Sequence, residues 1–117
     1  MTDRKDALIK LLDNVEAGDI PDTGIDRFRA IPKRGGGVYA DPNWYDANGA
    51  YWRGDLNAAK ALHEAVLPEW HINLTFDFCS VFPSGNDGEQ LAHTGQCNEN
   101  PARAWLIAIL KALIAGE

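Results

Sequence analysis

The sequence predicts an α+β domain: three helices layered on a small antiparallel sheet, with the second half running α-β-β-(β)-α. Three observations predict it. The stretch 100–115, NPARAWLIAILKALIA, carries only Arg103 and Lys111 as charges. Its apolar arc (Ala102, Trp105, Leu106, Ile109, Leu110, Ala112 and Leu113) is widened past half the helix circumference by Ile107 and Ile114. A helix that apolar must be covered on more than one side. Residues 55–67 repeat apolar positions at helical spacing, and from Trp70 the period drops to two, as in a half-buried strand. An apolar sheet face beside apolar helices gives a layered fold.

The chain has 117 residues, enough for a single domain with its own core and too few for two. Residues 3–17 read as the first helix: Leu8, Leu11, Leu12 and Val15 share a face, Asp3 and Asp6 suit its N-terminal dipole, and Gly18 stops it. Residues 19–54 read as an irregular, aromatic-rich loop. They hold Pro21, Pro32, Pro42 and the run Gly35-Gly36-Gly37, which break long regular elements. Residues 55–117 form the predicted core. Asp55 caps a helix that Pro68 ends, with Leu56, Ala59, Leu62, His63, Val66 and Leu67 on one face. Trp70, Ile72, Leu74, Phe76 and Phe78 then alternate with polar residues. Residues 79–82 turn into a second strand, 83–88 form a loop, and 89–95 supply a further strand. Asn100 caps the last helix and Pro101 takes its first position.

The net charge of −6 argues against a general binder of nucleic acid or anionic membrane. It is uneven. Residues 1–54 carry 9 acids and 8 bases, residues 55–117 carry 8 acids and 3 bases. The longest apolar run, Ala104 to Leu110, is far short of the roughly 20 residues of a membrane span. Two cysteines make no disulfide framework, and MTDRKD opens the chain without an apolar signal core. The expected location is therefore cytoplasmic.

Three stretches, DALIKLLDNVEAGD, GDLNAAKALHEAVLPEW and NPARAWLIAILKALIA, resemble the phage ABA (α/β/α) sandwich domain family, small uncharacterised proteins of bacteriophages and prophages. The specific parts are the Leu-Pro-x-Trp exit of the middle helix and the Asn-Pro-Ala-Arg-Ala-Trp start of the last. The resemblance implies a layered α/β fold and a phage or prophage origin in a bacterial host. It implies no activity, and no catalytic residue is carried across.

The chemistry-bearing residues favour packing. Cys79, Cys97, His71 and His93, with Asp77, lack the paired spacing of a zinc site. His63 on an apolar helix face reads as a core-edge histidine bonded to a backbone carbonyl. Ser80 and Ser84 lack a nucleophile-elbow setting, and the three glycines lack the order of a phosphate loop. A double-stranded RNA-binding domain shares the α-β-β-β-α order, but the last helix begins with Asn98, Glu99 and Asn100 and offers Arg103 alone to phosphates. No catalytic, metal or cofactor site is expected.

The aromatic-rich segment is the most pointed feature. Tyr39, Trp44, Tyr45, Tyr51 and Trp52, with Arg27 and Arg29 nearby, either fold back into the core or form an exposed interaction surface. The function expected is a non-catalytic protein-interaction or accessory module, self-associating through the C-terminal helix. The alternatives are an acidic nucleic-acid mimic that inhibits a host DNA-binding protein, and a small enzyme with residues 19–54 as its lid.

Overall fold

Asn100 begins the most deeply buried helix described: its Oδ1 accepts from the Arg103 N–H at 3.0 Å, and Pro101 fills the first position without wasting a donor. The computed structural model describes residues 3–18, 28–33, 41–84, 91–98 and 100–116. They form α1 (Asp3–Ala17), α2 (Pro42–Trp52), α3 (Leu56–Val66), β1 (His71–Leu74), β2 (Phe78–Phe82), β3 (His93–Gln96) and α4 (Pro101–Ala115). This is an α+β fold with a three-stranded antiparallel sheet in the order β1-β2-β3.

Helix α4 is the middle layer. One side lies on β2 and β3, and the other meets α1, α2 and α3. Leu106, Ile107, Ile109 and Leu110 are fully buried, each worth roughly 2 kcal/mol of transfer free energy. The alanines at 102, 104 and 108 are buried as well and let neighbours come close. The closest is β3: a Cβ on Gly95 would fall on the Ala104 carbonyl oxygen and 2.8 Å from the Ile107 Cβ. Ile107 is enclosed within the chain, while Leu113 and Ile114 near the C-terminal end of the helix stay half-buried.

The segment expected as irregular contains a helix, which makes four among the described residues where three were expected. Asp41 caps α2, its side chain accepting from Asn43 N–H at 2.9 Å, and Pro42 takes the first turn. Its asparagines and glycine are poor helix formers. Burial of Trp44, Ala47, Ala50 and Tyr51 offsets that. Gly49 lets α2 approach α3, where an added Cβ would sit 3.2 Å from Ala58 Cβ. Gly54, at φ +61°, separates the two helices before the Asp55 cap of α3.

The strand expected to run from Trp70 to Phe78 is also corrected. It ends at Leu74, and Phe76 sits in a tight turn at 68% exposure. The Thr75 N–H donates to the Phe78 carbonyl, and Cys97 N–H donates to that of Asp77, tying the turn to the end of β3. Register pairs Ile72 with Val81, and Leu74 with Cys79 and through it Gly95, so these share the helix-facing side. Cys79, Val81 and Gly95 are buried there, whereas Ile72 remains 36% exposed. Helix α4 covers β2 and β3 but leaves the β1 edge partly open.

Burial pushes the Cys79 thiol from 9.0 up to about 12. The folded thiol keeps its proton where the unfolded one ionises, so this contribution is intact below about pH 9 and is lost as the pH climbs from there towards 12. Between about pH 8 and about pH 10 the parent chain is expected to lose about 1 kcal/mol more stability than Cys79→Ala. Urea midpoints of both chains at the two pH values check this; parallel losses would contradict it.

Candidate functional site

The aromatic-rich segment divides in two. Trp44 and Tyr51 are buried. Trp44 Nε1 donates to the Ile31 carbonyl at 3.0 Å, and Asn43 Nδ2 donates to that of Pro32 at 2.8 Å, latching residues 28–33 onto α2. The latch brings Arg29 and Lys33 to 5.9 and 5.7 Å from the Trp44 ring centre. Tyr51 lies under the Arg103 guanidinium at 4.0 Å, and its carbonyl accepts from Arg103 NH2 at 3.0 Å. The base expected to stand alone at the helix start therefore clamps α4 to α2.

Tyr45 and Trp52 point the other way, at 53% and 41% exposure. Seven residues apart, they lie on one stripe of α2. Of the residues expected to form an interaction surface, Trp44 and Tyr51 are spent on packing, while Tyr45, Trp52 and Arg29 remain at the surface. Tyr39 and Arg27 lie outside the described residues, as do the three glycines Gly35, Gly36 and Gly37.

A second feature was not read from the sequence. A cleft of about 400 Å³ opens between α3 and β1, where the sheet edge is uncovered. Its helical wall is the stripe Lys60, His63, Glu64 and Leu67, and its far wall is Trp70 and Ile72, with Trp105 of α4 between. The floor is fixed by a chain of hydrogen bonds. Trp105 Nε1 donates to His63 Nδ1 at 3.0 Å, so Nδ1 is an acceptor and the proton sits on Nε2. Nε2 donates to the Trp70 carbonyl at 2.9 Å. The expected carbonyl contact is present, and the indole is the addition. With both ring nitrogens engaged, His63 positions two tryptophans and has no vacant nitrogen for base chemistry.

Ser84 Oγ donates to the Glu69 carbonyl at 2.6 Å and lies 3.2 Å from His71 Nε2. Its single proton is directed at the carbonyl, so the hydroxyl accepts from the imidazole, the reverse of a nucleophile–base pair. His93 stacks on Trp70, ring centres 6.3 Å apart. Cys79 is buried and, pushed up to about 12, stays a thiol at neutral pH. Among the described residues, no three His, Cys, Asp or Glu side chains gather in a metal-holding group. No described helix is long and apolar enough to cross a membrane.

No protein-family model, curated protein or solved structure matches this chain.

Proposed function

We propose that this chain is a non-catalytic interaction module of phage or prophage origin, working in the cytoplasm of the bacterial host and gripping a protein partner through the outer stripe of α2. The observation that carries the reading is the split on that helix: Tyr45 and Trp52 are exposed while their neighbours Trp44 and Tyr51 are buried. Large aromatics with a polar tip supply much of the energy of protein interfaces. Arg29 and Lys33, held beside Trp44, add a basic edge suited to a partner with acidic groups. The nucleic-acid mimic and the lid-gated enzyme draw no comparable support from a named side chain.

The test is affinity capture from host lysate with the parent chain and with a Tyr45→Ser/Trp52→Ser double variant. The variant is expected to stay folded at a cost of about 1–2 kcal/mol, because the half-exposed Trp52 packs edge-on against the Tyr51 ring at 5.1 Å. Capture of the partner is expected to fall by about tenfold or more. A folded variant that captures the same partner equally well would remove α2 as the contact surface.

A further inference from the structure

The cleft between α3 and β1 is a separate site, and it has the marks of a small-ligand pocket. Its size is in the usual range for one, and its lining is mainly apolar with a few charged groups. Two indoles form it. Trp70 has one face stacked on His93, and the same indole lines the cleft. Trp105 is held by its hydrogen bond to His63 and cannot swing away without breaking it.

The rim carries the charge. Glu64 and Glu69 are both exposed, and no ion pair joins either to another described residue. Among the described residues lining the cleft, Lys60, one turn before Glu64 on α3, is the only lysine or arginine against the two glutamates, so the charge they bring is net negative. Glu69 also occupies a position that suits glycine. It has φ +69°, and the Trp70 N–H donates to the Leu67 carbonyl at 3.1 Å, closing a turn with Pro68 and Glu69 at its centre. In such turns the second central residue is usually glycine. Pro68 and the bond from Ser84 to the Glu69 carbonyl hold the turn in place, and a carboxylate stands at the lip where a bare Cα would be easier to fold.

We infer that this cleft binds a small organic cation with an apolar body, an arylalkyl or alkyl amine, with the body between Trp70 and Trp105 and the ammonium beside Glu64 and Glu69. Indole faces suit an aryl or alkyl body, and carboxylates at the same mouth add charge complementarity for its ammonium. The site does not depend on the α2 stripe: its signals are Trp70 and Trp105, whereas the α2 surface reports through Trp52.

The test is a titration of the full chain, labelled with ¹⁵N, followed at the indole N–H signals of its four tryptophans. Three probes of one shape are compared: phenethylamine, the neutral phenethyl alcohol and the anionic 3-phenylpropionate. The amine is expected to shift Trp70 and Trp105, leave Trp44 and Trp52 in place, and bind about tenfold tighter than either other probe. Glu69→Gln is expected to weaken the amine about fivefold without affecting the alcohol. Glu69→Gly is expected to fold at least as stably as the parent and lose the same preference, separating binding from stability. Equal binding of all three probes, a preference for the anion, shifts confined to Trp44 or Trp52, or no shift at Trp70 and Trp105 would each overturn the inference.

Discussion

Gly95→Val is expected to leave a chain that does not reach the native state, and Gly95→Ala to cost about 3 kcal/mol or more. The reason is local and steric. A Cβ at this position would meet the Ala104 carbonyl oxygen, the Ala108 nitrogen at 2.7 Å and the Ile107 Cβ at 2.8 Å. Two of these are helix backbone and cannot rotate away. Relief requires β3 to lift from α4, which uncovers Cys79, Val81 and the face of α4 that they bury. Overpacking usually costs about 1–3 kcal/mol, and here no flexible group can absorb it. Circular dichroism through a urea titration checks both variants. A Gly95→Ala chain within about 1 kcal/mol of the parent would show that the strand sits further from the helix than described.

The second large effect is expected at His63. His63→Ala should destabilise the fold by about 3 kcal/mol, because it takes the hydrogen-bond partner from the buried Trp105 N–H and from the Trp70 carbonyl and removes packing from the wall of the cleft. Trp105→Phe removes the other end of the same bond and strands His63 Nδ1. The two changes share one interaction, so the double variant should be less damaged than their sum by about 1 kcal/mol or more. Strict additivity would mean that the indole–imidazole bond contributes nothing.

The parts legible in the sequence were those where local chemistry and burial agree. Asn100-Pro101 and the width of the apolar arc placed α4 and required it to be enclosed; Asp55 and Pro68 bounded α3. Helix α2 was missed because its composition argues against it, with Asn43, Asn48 and Gly49 in eleven residues. The signal was the Asp41-Pro42 pair, the same cap-and-proline start as at Asn100-Pro101. The strand at Trp70 was drawn too long because Phe76 and Phe78 continue the alternation across a turn. Only the pairing of Leu74 with Cys79 shows where the chain reverses. The cleft was beyond reach for a different reason. It arises where α4 fails to cover β1, a property of layer width that no stretch of sequence encodes by itself. The Leu-Pro-x-Trp exit did mark its edge, since Leu67, Pro68 and Trp70 all line it.

Native-state amide hydrogen exchange tests most directly whether α4 is the enclosed middle layer. The amides of Trp105 to Leu110 are expected to exchange only through global unfolding, with an opening free energy equal to that from denaturant melting. Those on the exposed side of α1, such as Lys10 and Asp13, should open at lower cost. Exchange of the α4 amides as fast as those of α1 would place that helix at the edge of the fold and contradict the account.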